Sequence, residues 1–234
     1  MNLQDKIYTR KSYRSYNNNP IKEETILKIS NFLKTATPLF KDIKVDFEIL
    51  DFNRISYPPL FKSPKVVVFY SEKKQDYLQN AGFILQQLDL FLQSNGLASC
   101  YLGLAKPKGS KQKNGLSYVI SMAFGFSDET ERTSTKQFKR KPLEEICNIK
   151  DEKLECARLA PSAINSQPWY FEKKDDTYNL YCKKHILNKN LEYMNSIDLG
   201  IALSHIYLEN KNTFCFYKNQ NIKCGFKYFG SFKI

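Results

Sequence analysis

Asn80-Ala-Gly-Phe-Ile-Leu-Gln-Gln-Leu-Asp-Leu-Phe-Leu-Gln-Ser94 reads as an amphipathic helix, because Phe83, Ile84, Leu85, Leu88 and Leu92 recur at three- and four-residue spacing. Asn95-Gly96 then supplies its C-cap. A second stretch of this kind, Ile197 to Leu208, lies more than a hundred residues on. Gly82 and Gly200 are each followed by Leu at three positions, by Leu88 or Ile206 at six, and by Leu90 or Leu208 at eight. Each helix then meets an asparagine-containing stop and a β-prone run. The pattern implies two related α/β halves, 1–145 and 146–234. No low-complexity linker separates them, so they are expected to pack as one unit.

The flanking segments fill in both halves. Leu3, Ile7 and Tyr8 mark a short first helix, and Tyr16-Asn-Asn-Asn-Pro20 a loop. Ile26, Ile29 and Leu33 put Glu23–Lys34 on a helix. Val45, Phe47 and Ile49 alternate as in a strand, and Val66–Tyr70 is apolar throughout, as in a strand buried on both sides. Ser117–Gly125 is a further strand. In the second half Lys150–Leu159 reads as helix, and Trp169–Lys173 and Tyr178–Cys182 as strands joined by a turn at Asp175-Asp176. The stretch from Thr213 onward is aromatic and β-prone.

The composition narrows the class. Aromatic residues make up 14% of the 234, too many for a solvated disordered chain. The net charge of +12 invites a nucleic-acid reading, but the cations are scattered. Their one cluster, Lys106–Lys113, carries the Gly and Pro of a solvated loop, and no nucleic-acid partner is expected. No apolar run approaches the roughly 18–20 residues of a membrane span. The opening Met-Asn-Leu-Gln-Asp-Lys-Ile is not an apolar signal segment, so a soluble cytoplasmic protein is the expectation. None of the six cysteines forms a C-x-x-C pair, and His185 and His205 are not spaced as helical ligands, so no metal site is expected. The thiols read as reduced.

Four motifs carry chemistry. In Arg10-Lys11-Ser12-Tyr13-Arg14, alternation throws Arg10, Ser12 and Arg14 to one side of an extended chain. Two guanidinium forks flanking a hydroxyl suit an oxyanion, while a solvated basic segment is the plainer reading. Ala160-Pro-Ser-Ala-Ile-Asn-Ser-Gln-Pro-Trp169 joins a helix to a strand, and its amides offer the paired donors and acceptors that suit a flavin pyrimidine. In Gly96–Gly103 either a ligand approaches the backbone at Gly103 or the segment is simply a cap and a buried strand. Lys139, Arg140 and Lys141 either close a phosphate site or form a basic loop. Glu144 and Glu145 favour the start of the next helix.

Taken together, R-x-S-x-R, A-P-S-A-x-N-x-Q-P-W, G-L-x-S-C-Y-L-G and K-R-K-P-L-E-E resemble the FMN-dependent nitroreductase family over nearly the whole chain. The order departs from the usual one. The Pro-Ser string ordinarily follows R-x-S-x-R by a few tens of residues, where this chain has the degenerate Thr35-Ala-Thr-Pro-Leu-Phe40. The arrangement is similar to the TM-type subgroup, in which two nitroreductase-like halves are fused. The resemblance implies an α+β, three-layer α-β-α fold whose halves pack like a nitroreductase dimer, with one FMN site between them. A monomer would then suffice. Arg10, Lys11, Ser12 and the Lys139-Arg140-Lys141 cluster would bind the cofactor from the phosphate side, Arg14 near its ribityl or pyrimidine edge. Pro161, Ser162, Ala163, Asn165 and Gln167 would meet the ring from the second half, and Leu102 and Gly103 would serve the N5 side. No catalytic side chain is required, because the flavin carries the chemistry. Hydride would pass from NADH or NADPH through FMN to a small electron acceptor such as a nitroaromatic or a quinone. A non-catalytic FMN-binding or sensing protein is the alternative.

Overall fold

The computed structural model describes residues 2–58, 60–183, 189–218 and 226–234; His185 and Cys224 lie outside them. The chain opens with α1 (Leu3–Ile7) and α2 (Glu23–Thr35). Strands β1 (Val45–Asp51), β2 (Ile55–Ser56) and β3 (Lys65–Ser71) lead to the long α3 (Tyr77–Ser94). Strands β4 (Ala98–Leu102), β5 (Lys106–Pro107), β6 (Gln112–Lys113) and β7 (Leu116–Gly125) come after it. Next come α4 (Leu143–Ile146), α5 (Glu155–Arg158), β8 (Trp169–Lys174), β9 (Thr177–Cys182), α6 (Lys189–Glu209), β10 (Cys215–Tyr217) and β11 (Lys227–Lys233). The expected Lys150–Leu159 helix is realised only as a 3₁₀ turn, Glu152–Leu154, running into the single turn of α5. Pro161 limits how far that turn can continue.

Two large antiparallel sheets result, with β2 and β5 paired apart from them. The first has the order β1-β3-β7-β4, with β6 also on β7; the second has β8-β9-β11-β10. In each, the long strands come in the spatial order first, second, fourth, third. In each, the long helix (α3 or α6) connects the second to the third. The basic Lys106–Lys113 cluster is mostly exposed, as expected of a loop, but its ends form β5 and β6 and Pro107 is buried.

The run Val66–Tyr70 lacks alternation because both faces of β3 are covered. Val67 and Phe69 join the main core. Val66, Val68 and Tyr70 join a smaller cluster with Ile55, Leu102, Ala105 and Ala123. Helices α3 and α6 depart from the amphipathic expectation in the same way. On α3 the polar Asn80, Gln86, Gln87, Asp89 and Gln93 are buried along with the apolar residues; on α6 Asn195, Asp198, Ser204 and His205 are. No residue is exposed between Asn80 and Gln93 of α3 or from Tyr193 onward in α6, so only the first turn of α6 keeps a wet face.

Glycine sets the closeness of that crossing. A Cβ on Gly82 would stand 2.1 Å from the carbonyl oxygen of Ile197, and one on Gly200 would stand 1.9 Å from that of Gln79. Each glycine therefore meets the residue three positions before the other. The shared Gly pattern of the sequence marks the crossing point. No helix among the described residues is long and apolar enough to cross a membrane.

Neither backbone can yield to a methyl group without parting the helices. Gly200→Ala is expected to lower the urea-unfolding free energy by about 3 kcal/mol. Gly82→Ala should do nearly the same. A loss below about 1 kcal/mol for both would show that the crossing is slack.

Candidate functional site

The N-terminal motif runs extended beside β4, where the Tyr13 N–H donates to the Ser99 carbonyl (3.0 Å). The Gln93 amide grips the backbone of Lys11, accepting from its N–H and donating to its carbonyl at 3.1 Å each. Lys11 itself turns outward to Glu129 (2.6 Å). Arg10 and Ser12 share a face as alternation requires, with Arg10 Nη2 donating to Ser12 Oγ (3.2 Å).

That face does not open to solvent at Arg10. The residue is 1% exposed, and its Nε lies 2.8 Å from Asp89 Oδ2, an ion pair too oblique to be a hydrogen bond. Asp89 also accepts from Ser99 Oγ (2.6 Å), Gln93 Nε2 (3.1 Å) and Gln86 Nε2 (3.1 Å). Three hydrogen-bond donors and one paired guanidinium offset the desolvation of a carboxylate on a buried helix. Arg14, by contrast, is exposed.

Gln86 extends this network across the helix crossing. Its oxygen accepts from the Tyr101 hydroxyl (3.3 Å), and its nitrogen lies 2.9 Å from His205 Nε2. The other ring nitrogen, Nδ1, sits 2.8 Å from the Cys156 carbonyl, which can only accept. The network thus assigns the proton of His205 to Nδ1 and leaves Nε2 to accept from Gln86. Burial, reinforced by the charges of Arg10 and Arg140, pushes the His205 pKa down to about 3, so the ring is neutral. Burial also raises the Tyr101 phenol well above its usual range, with Asp89 adding to the effect.

The basic segment of residues 139–141 is laced onto the Pro-Ser string. Arg140 donates to the carbonyls of Ala160 (3.0 Å) and Leu159 (3.4 Å) and to Asn165 Oδ1 (2.8 Å). Asn165 Nδ2 donates to the Lys139 carbonyl (2.9 Å). The Lys141 N–H donates to Gln167 Oε1 (2.8 Å), and its ammonium reaches the Ser166 carbonyl (3.0 Å). Within the string, the Gln167 N–H donates to Ser162 Oγ (2.9 Å). The amides of Asn165 and Gln167, expected to face a ligand, are engaged in holding this loop. Pro161 is buried, and Ser162 and Ala163 are half-buried.

The clamp sustains an unfavourable backbone. Ile164, Asn165 and Gln167 have φ of 48°, 57° and 48°, the left-handed region. For a β-branched residue such as Ile164 that conformation costs about 1–2 kcal/mol. From below, both Asp198 oxygens accept the Ala163 N–H, at 3.2 and 3.1 Å. Burial raises the Asp198 carboxyl well above the usual range. At the end of β4, Leu102 is buried while Gly103 is exposed and faces the Met194 side chain of α6.

The structure therefore joins Lys139, Arg140 and Lys141 directly to residues 160–167. It sets Arg10 close enough for its charge to depress the Arg140 guanidinium. Asp89, Arg132 and Asp198 belong to this neighbourhood without having been singled out in the sequence, as do Tyr101, noted only as part of the Gly96–Gly103 motif, and His205, noted only as no metal ligand. For Asp89 and Asp198 a signal existed: each interrupts an apolar helical run, Leu88-Asp89-Leu90 and Ile197-Asp198-Leu199, where a carboxyl needs a partner.

A family model described as "Putative TM nitroreductase" matches residues 2–210. The chain belongs to that family. Among solved structures, a putative nitroreductase from Thermotoga maritima MSB8 aligns over 99% of this chain and 92% of its own, with a TM-score of 0.67 and 22% identity. A nitroreductase family protein from Clostridium difficile 630 aligns over 65% of this chain and 99% of its own (TM-score 0.51, 16% identity). A putative nitroreductase from Desulfovibrio desulfuricans, in complex with FMN, aligns over 61% and 92%, with a TM-score of 0.45 and 16% identity. No curated protein matches the chain. The first two likenesses establish a mixed α/β nitroreductase fold.

Neutral His205 gives stability a pH dependence of definite sign. The unfolded ring gains a proton near pH 6.5, whereas the folded ring resists it until about 3. The unfolded state thus binds more protons over that interval, and this contribution is complete above about 6.5 and lost as pH falls toward 3. The unfolding free energy of the wild type minus that of His205→Gln should shrink between pH 7 and pH 4.5 by up to about 1.4 kcal/mol per unit. A difference independent of pH would show that the folded ring takes up its proton at the same pH as the unfolded one.

Proposed function

We propose that this member of the nitroreductase family is an FMN-dependent oxidoreductase that takes hydride from NADH or NADPH and delivers it to a small acceptor such as a nitroaromatic or a quinone. The observation that carries this reading is the meeting at Arg140 of the two motifs that resemble the family's flavin-binding elements. Arg140 binds the carbonyls of Leu159 and Ala160 and the side chain of Asn165, and lies within the field of Arg10. We further read the chain as two related halves, near 1–145 and 146–234, that together build one site and so let a monomer suffice. The matching strand orders and the reciprocal glycine contacts support that reading. Helix α4 straddles the boundary and packs on β8.

The residues present suit FMN. The neighbourhood carries more guanidinium than carboxylate charge, Arg14 and Lys139 are exposed, and Gly103 presents backbone without a side chain. Bound there, FMN would supply the hydride chemistry. The chain's own part is to bind and orient. Arg14 offers a cation to the negative charge of a reduced ring. Pro161, Ser162 and Ala163 form a wall held in place by Asp198 below and by residues 139–141 beside it. Leu102 ends a buried strand, so Gly103 is presented from a rigid support. The protein thus provides a preorganised surface, and no side-chain acid or base is needed.

The purified chain is expected to be yellow, or to become so on reconstitution, with one FMN per monomer. Adding NADH or NADPH without oxygen should bleach the flavin absorbance, and an acceptor should restore it. FAD in place of FMN, or no flavin uptake, would overturn the cofactor assignment. Stable colour in the presence of both nucleotides would leave a flavin-binding protein without this catalysis.

A further inference from the structure

A cavity of about 550 Å³ opens where α3 begins, apart from the residues assigned to the flavin. Leu78 and Gln79 of α3, Asn195, Ser196 and Leu199 of α6, and Phe229 of β11 form its wall. Helix α3 starts there without a side-chain cap. Its N-cap residue Asp76, at φ 63°, makes no bond to the first turn and turns its carboxylate to Lys218 instead (3.0 Å). No acceptor among the described residues takes the N–H groups of Leu78 and Gln79. A helix of 18 residues also leaves about half a positive charge at that end. Asn195 supplies an independent donor. It is 1% exposed, its Oδ1 accepts from Ser166 Oγ (3.4 Å), and its Nδ2 has no partner among the described residues. A buried donor left unmet is costly unless an occupant of the cavity brings the acceptor.

The position has a counterpart across the helix crossing. Lys218, the residue after β10, meets Asp76, six residues before Gly82; Gly103, the residue after β4, meets Met194, six residues before Gly200. Asn80, two before Gly82, accepts the Phe40 N–H (3.0 Å), as Asp198, two before Gly200, accepts the Ala163 N–H. The cavity thus stands to α3 as the region assigned to the flavin stands to α6. Here, however, Phe40 takes the place of Ala163 and Lys218 that of Gly103. The larger side chains use the room that a flat tricyclic ring would need, and a smaller occupant is left.

We propose that this cavity binds a small organic carboxylate, its carboxyl group received by the N–H groups of Leu78 and Gln79 and by Asn195 Nδ2, its apolar body lying against Leu199 and Phe229. The charge of the site favours a monoanion. The lysines lining the cavity are already engaged: Lys218 with Asp76 (3.0 Å), Lys227 with Glu192 (3.2 Å), Lys74 with Glu72 (3.2 Å), and Lys183 with the Glu145 carbonyl (3.2 Å). What remains is a helix end and neutral donors, which match a single negative charge better than a phosphate dianion. The correspondence with the flavin region rests on the two-halves reading; the donors of the cavity do not.

The test uses the full-length chain as purified, with benzoate as probe and benzamide and inorganic phosphate, at equal ionic strength, as controls. Benzoate should raise the melting temperature in a saturable way, and neither its neutral isostere nor phosphate should match it. Asn195→Leu, which removes the amide donor while keeping the volume, should weaken benzoate by about tenfold. Ser196→Phe, which fills the cavity, should abolish the shift while leaving any flavin content unchanged. No benzoate-specific shift in the wild type, an equal shift with benzamide or with phosphate, or a shift undiminished in both variants would each overturn the proposal. A shift that survives both variants and displaces the flavin absorbance would place the carboxylate at the flavin instead. A shift that depends on Asn195 in a chain that takes up no FMN would uphold the cavity and reject the FMN reading.

Discussion

The two central helices touch backbone to backbone. At Gly82 and Gly200 they come near enough that a single methyl group would overlap a carbonyl oxygen of the partner helix. Both the buried polar network and the placement of the candidate site depend on this contact. Because α3 and α6 bury each other, their polar residues lose water and must find partners within the protein. Because α3 links strands of one sheet and α6 strands of the other, the crossing also sets how near the Pro-Ser string lies to the N-terminal motif.

The buried polar groups answer that constraint as a single connected set. Asp89 gathers Arg10, Ser99, Gln93 and Gln86; Gln86 passes the chain of bonds to Tyr101 and to His205; and His205 ends it on a carbonyl of α5. Such a network raises the penalty for any alternative packing, since each member displaced leaves a buried partner unsatisfied. It also explains why an arginine within an oxyanion-type motif lies in the core. The helix crossing has already dehydrated the carboxylate across from it, and Arg10 is the cation within reach.

Much of this was legible from residue order. Alternation located β1, helical spacing located α2 and α3, and the unbroken apolar run of β3 announced a strand covered on both faces. The repeated Gly pattern fell on the crossing point, and the Pro-Ser string and the Lys139–Lys141 segment were both singled out as site elements. Periodicity reports which side a residue faces but not what covers that side. Hence α3 and α6 read as amphipathic although most of each is buried all round, and the alternation that set Arg10 and Ser12 on one face gave no sign of Asp89 opposite. Arg132 gave no pattern at all, since its placement depends on the Phe138 ring and on the carbonyl of Arg10, more than a hundred residues away. The expected Lys150–Leu159 helix starts late for a local reason: the Asp151 side chain accepts the Lys153 N–H and caps the stretch, which opens as a 3₁₀ turn before α5.

The crossing also bears on how the chain reaches its fold. The hairpins β8–β9 and β1–β3 join residues near in sequence, and each sheet can gather its own strands early. The glycine contacts join positions more than a hundred residues apart, so their loop must close before they contribute anything. Until then α3 and α6 each carry an uncovered apolar and polar face, a surface prone to meet the wrong partner. Completion of the fold is therefore a docking event between two partly built sheets with their helices, and the two glycines are the point at which it locks.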